Sequence, residues 1–119
     1  MKIISDKKPK CVTFDIINGY TINAFIENVN NVYEYVTIII GSKLSHDTII
    51  SELININYNQ DQVTAITLNY LLTLHAEVID PEKVKEYQQE YKELQEYRLV
   101  CKNEAKRLIE YAEINDVHP

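Results

Sequence analysis

Glycine and proline are nearly missing from this chain, at 2 and 3 residues in 119. So thin a supply leaves no room for long flexible linkers, and it makes a glycine-rich backbone cradle for nucleotide phosphates hard to build. Tryptophan is absent, and the 2 cysteines, Cys11 and Cys101, lie far apart. Without a CxxC pair there is neither a zinc ribbon nor a dithiol redox motif. His46, His75 and His118 are the only histidines, and none has a second ligand at metal spacing. GxSxG and HExxH patterns are also missing. The longest apolar run, residues 36–40, falls far short of the ~20 residues that span a bilayer. The apolar start between Lys2 and Asp6 is too short for a signal peptide. The expectation is a soluble protein made in the host cytoplasm, its two thiols buried and unpaired. Positive charge is short as well: 12 Lys and Arg against 18 Asp and Glu, a net charge of −6. That balance argues against a nucleic-acid binder, which needs a basic face. The denser basic patches, Lys7, Lys8 and Lys10 and then Arg98, Lys102, Lys106 and Arg107, read as solvated surface, as does the pair Glu86 and Glu90. These absences predict no catalytic, cofactor-binding or metal residues, and a protein that is not an enzyme.

What is present is a foldable amount of apolar material, 45% of the residues. Residues 11–17 and 20–26 read as two strands, rich in β-branched and aromatic side chains, with the hairpin dipeptide Asn18-Gly19 between them. A strict two-residue loop would oppose Val12 to Phe25 and set apolar against polar along the pair. A one-residue shift opposes Val12, Phe14 and Ile16 to Ile26, Ala24 and Ile22, so burial selects it. A bulge or a three-residue turn around residues 18–20 is therefore expected. Asn28, Asn30 and Asn31 mark the next turn. Residues 32–40 form a third strand that ends at Gly41, with Val36, Ile38 and Ile40 on one face and Tyr33, Tyr35, Thr37 and Ile39 on the other. Residues 2–5 add a short edge strand.

From Ser45 onward the apolar period lengthens from two towards four. Ser45 caps a first helix carrying Ile49, Ile50, Leu53 and Ile54, and residues 55–58 break it. Asn59 caps a second helix, with Gln62 placed as its capping-box partner. Val63, Ile66, Tyr70, Leu71 and Leu74 share one broad face of that helix, which Leu68 and Leu72 widen, so it is expected to be the most buried. Asp80-Pro81 then starts a long third helix.

That last helix carries Val84, Tyr87, Tyr91, Leu94, Arg98, Cys101, Ala105, Leu108 and Ala112 at alternating steps of three and four. The stripe holds to one side of a rod about 50 Å long, longer than so small a domain is wide. A projecting stripe needs a partner, so Val84, Tyr87, Tyr91, Leu94, Arg98, Cys101, Ala105 and Leu108 are the expected interface residues. Tyr87 and Tyr91 are too bulky for a tight two-stranded coiled-coil core and favour packing on a wider surface. Arg98 needs a carboxylate or carbonyl if buried. Acidic residues come early in the helix and basic ones late, which suits the helix dipole and would favour antiparallel pairing of two such rods.

Tyr58 with Asp61, Ala65-Ile66, and Tyr97-Arg98, Cys101-Lys102 and Ala105-Lys106 make up a pattern. It resembles a recurrent type of small protein encoded by tailed bacteriophages and prophages. The type has a β-rich N-terminal part, a Tyr-x-x-Asp helix start, an Ala-Ile pair, and a helix ending in Tyr-Arg-x-x-Cys-Lys-x-x-Ala-Lys. Asn59 stands where serine is usual; both cap helices. The resemblance brings no catalytic residues and implies a virion or virion-assembly setting.

The expected fold is α+β: a small antiparallel sheet of three or four strands, two short helices and one long C-terminal helix. Residues 1–78 form the domain, and residues 80–114 form a helix that packs on it, on a partner, or on both. The inner sheet face, Val12, Phe14, Ile16, Ile22, Ala24 and Ile26, should pack on Ile66, Tyr70 and Leu74. The expected function is a phage virion structural or accessory protein that self-associates or docks on a capsid, head-fibre or tail component. The alternative is a small acidic binding protein that inhibits or regulates a host protein by masking a basic surface. The partners expected are proteins, itself or other virion components, with no nucleic acid, membrane or cofactor.

Overall fold

The computed structural model describes residues 2–75, 77 and 80–119. Its elements are β1 (Lys2–Ser5), β2 (Val12–Asp15), β3 (Gly19–Val29), β4 (Val32–Ile40), α1 (His46–Asn57), α2 (Gln60–Leu74) and α3 (Pro81–Ile114). The strands form one antiparallel sheet in the order β1-β4-β3-β2, so the chain has the expected α+β fold. It divides into two compact units: one joins the residues through Leu53 to Cys101–Pro119, the other is Ile54–Val100. The division cuts α3 between Val100 and Cys101, away from the domain limit expected at residue 78.

In the first unit, the β2–β3 hairpin departs from the expected register. Val12 opposes Ile22, Phe14 opposes Tyr20 and Asp15 opposes Gly19. Apolar still meets apolar, as burial requires, but the loop is the three residues 16–18. Asp15 Oδ1 accepts from Ile17 N at 2.7 Å, which folds the loop back on itself. Only Gly19 takes a positive φ (82°) there, and its absent Cβ would lie 2.6 Å from the Ile40 carbonyl oxygen. Asn18-Gly19 thus closes a three-residue loop on a left-handed glycine instead of forming the two-residue turn that needs positive φ at both positions. Such a turn occurs one hairpin later. Asn30 and Asn31, at φ 51° and 68°, join Val29 to Val32, while Asn28 stays in β3.

The β3–β4 register slips by one between Ala24 and Glu27, where Phe25 takes φ 55°. Upstream of this bulge the strands alternate cleanly. Val12, Tyr20, Ile22, Ala24, Ile38 and Ile40 are buried on one side. On the other side Thr37 Oγ1 donates to Asn23 Oδ1 at 2.7 Å, and Ile39 is exposed. The bulge ends the alternation and leaves Ile26 half-buried; Phe14 is also half-buried, and Ile16, in the loop, is 91% exposed. The expected inner face is corrected accordingly.

The buried apolar helical residues of this unit are Ile49 and Leu53 of α1 and Cys101, Ala105, Leu108 and Ala112 of α3. Three of those four α3 residues are small. Within this unit α1 and the end of α3 supply the cover, and Ile66, Tyr70 and Leu74, expected against the sheet, fall in the other unit. Ser45 caps α1 through reciprocal contacts with Thr48, at 3.2 Å to its amide and 3.1 Å from Ser45 N to Thr48 Oγ1. The helix continues through the expected break as far as Asn57. At the far end of α3, Val117 N bonds Ala112 O at 2.9 Å while Asp116 sits at φ 51°, a left-handed helix stop.

In the second unit the Asn59–Gln62 capping box starts α2. Asp80 Oδ1 accepts from Glu82 N at 3.0 Å to start α3. The Tyr70 and Tyr91 rings stack with centroids 3.9 Å apart and planes 3° from parallel, and Tyr58 packs on Tyr97 at 5.7 Å. Contrary to expectation, α2 has no fully buried residue. It carries apolar side chains around most of its circumference, and only the side with Ile66 and Tyr70 is partly covered.

Candidate functional site

The stripe on α3 was the natural site for an outside contact, and the structure uses much of it internally. Leu94, Cys101, Ala105 and Leu108 have no exposed surface in the single chain. Val84, Tyr87, Tyr91 and Arg98 are half-buried. Tyr91 is committed to its stack on Tyr70. The premise that the rod carries more apolar surface than its own chain can cover fails for residues 101–108. A Leu94→Asp substitution therefore reports on folding and not on an interface. It should cost more than about 3 kcal/mol in chemical denaturation, because it places a charge at a fully buried position.

Sequence reasoning also missed Glu104. It lies three residues after Cys101 and four before Leu108, on the buried stripe itself, and that placement of a carboxylate was the available signal. Glu104 is 9% exposed. Its Oε1 accepts from Arg107 Nε at 2.7 Å, and its Oε2 accepts from Arg107 Nη2 at 2.8 Å and from the Phe25 amide at 2.6 Å. The bulge takes the Phe25 amide out of the strand ladder, and Glu104 replaces the carbonyl it would have bonded. Burial pushes the Glu104 carboxyl up; the Arg107 contacts and the Phe25 amide outweigh it and hold the group below its ordinary value. Hydrogen bonding to Glu104 pushes the Arg107 guanidinium further up, against its own partial burial. Arg107 also donates from Nη1 to Cys11 Sγ at 3.6 Å.

These groups line a cleft of about 320 Å³ together with Lys8 and Ile26. Its carboxylate is held ionised and its guanidinium is spoken for, so the arrangement ties the end of α3 to β3 and offers no poised acid or base. Among the described residues no set of three or more His, Cys, Asp or Glu could hold a metal, and no helix is long and apolar enough to cross a membrane. Neither Cys11 nor Cys101 forms a disulfide.

The surface left over lies elsewhere. On α2, Leu68, Leu71, Leu72 and Leu74 are 54%, 42%, 39% and 59% exposed. Four large aliphatic side chains on one 15-residue helix make a concentration that isolated surface leucines do not. The loop residues Ile16 and Ile17 form a second, smaller apolar projection. No family model, curated protein or solved structure matches the chain.

Proposed function

We propose that this chain is a structural or accessory component of a tailed-phage virion, acting by docking on protein surfaces and not by chemistry. The phage setting comes from the resemblance carried by Tyr58 and Asp61, Ala65-Ile66, and the 97–106 segment. The docking mode is carried by one observation: α2 leaves its leucines in water after the chain has folded. At ~25 cal/mol per Å² of apolar surface removed from water, covering them is a real driving force for association. The contact surface is thus moved from the α3 stripe to α2. The protein should co-purify in fixed stoichiometry with particles of the phage that encodes it, and Leu68→Asp should remove it from them. Its absence from washed particles would end the virion reading.

A second reading has its own observation. Glu82, Glu86, Glu93 and Glu96 are exposed along α3, and Glu90 is half-buried among them. Such an acidic face suits a basic host protein that the chain would inhibit or regulate. That reading requires absence from particles and binding that weakens steeply as salt is raised.

A further inference from the structure

We infer that the outward face of α2 is the contact between two copies of this chain, paired antiparallel about Leu68. The inference rests on the docking reading above and names the partner and the register. At 100° per residue, Ala65, Leu68, Leu71 and Leu72 fall within an arc of about 120°, opposite Ile66 and Tyr70. Ala65 and the three leucines are exposed, whereas Ile66 and Tyr70 are partly covered. The helix therefore has one apolar side in use and one open.

Charge selects the occupant. The chain carries a net −6, so two copies repel across most of their surfaces. Between Asp61 and Glu77 there is no Asp, Glu, Lys or Arg, which makes α2 the helix on which like-charged copies can meet at least cost. A basic foreign protein would be drawn instead to the glutamates of α3. The two ends of the open arc are unlike: Asp61 starts it and His75 ends it, about 21 Å further on at 1.5 Å per residue. A two-fold pair centred on Leu68 sets Asp61 opposite His75, Thr64 opposite Leu72, and the small Ala65 opposite the large Leu71. The helix dipoles then oppose each other, and the contact closes on itself as an isologous dimer. A parallel pair would set Asp61 against Asp61. The face of one 15-residue helix is below the ~1,200 Å² of a standard stable interface, so the dimer should be weak and reversible.

Two measurements test this. In sedimentation equilibrium the wild-type chain should dimerise at tens of micromolar. Leu68→Asp, which sets two carboxylates face to face on the axis, should raise the dissociation constant about 100-fold or more, with an unchanged circular dichroism spectrum. In oxidative cross-linking, Ala65→Cys mixed with Leu71→Cys should give a disulfide-linked dimer, and Leu68→Cys should link to itself. Ala65→Cys alone should not link, nor should the wild-type chain, whose own thiols are buried. A monomer at every concentration, or self-linking of Ala65→Cys that marks a parallel pair, overturns the inference. A monomer that still co-purifies with particles overturns the dimer alone; a dimer missing from particles overturns the virion reading alone.

Discussion

A carboxylate on a buried helical stripe is costly unless its oxygens are occupied. Glu104 meets that condition with two guanidinium contacts and one backbone amide. Arg107 is about half exposed and can turn to water if its partner is lost, whereas the Phe25 amide has no second acceptor in the sheet. Glu104→Ala should therefore cost about 2–4 kcal/mol, and Glu104→Gln, which keeps an acceptor for Phe25, about half of that. Urea denaturation measures both. Because the folded carboxyl lies below its unfolded value, the unfolded chain takes up the extra proton first as pH falls. The contribution of Glu104 is complete above the usual carboxylate range, ~4–5. It is lost as pH drops through the lower folded value. Wild-type stability should fall across that window more steeply than that of Glu104→Gln; parallel curves would show that the carboxylate is not held as described.

At the scale of elements, local chemistry carried far. The limits of β1 and β4, the Ser45 and Asn59 caps and the Asp80-Pro81 start all follow from neighbours a few residues apart. What could not be read is which helix covers the sheet, because α2 and α3 both carry apolar faces and periodicity does not say what a face meets. The hairpin register escaped for a related reason. Asn18-Gly19 serves two kinds of loop, and contact of Gly19 with the Ile40 backbone, more than 20 residues away, belongs to one of them. The bulge depends on a partner 79 residues distant, beyond any local pattern. One element end is open to improvement. Asp116 holds the left-handed position that terminates α3, where a side chain costs energy that glycine does not. Asp116→Gly should raise stability by about 0.5–1 kcal/mol, seen as a higher melting temperature; a loss would mean that the Asp116 side chain has a role of its own.

For the whole molecule, the two units differ in how much they bury. Among the described residues, thirteen of the fourteen buried apolar residues belong to the first unit, and Leu94 alone comes from the Ile54–Val100 unit. Of the twelve outside α1, eleven lie in strands, their flank or the last part of α3. Native-state hydrogen exchange should accordingly show α2 amides opening at lower free energy than those of β3 and of α3 after Cys101. Raising the protein concentration should slow α2 selectively if that helix lies at a dimer contact.

The bond from Phe25 to Glu104 also fixes an order of events during synthesis. Residues 54–100 are contiguous and can gather as soon as they emerge from the ribosome. The sheet and α1 are made first, but the inner side of the sheet stays only partly covered until residues 101–112 are translated, because no earlier segment supplies Glu104 or the apolar residues beside it. During that interval the nascent strands are the part of the molecule a chaperone would need to hold.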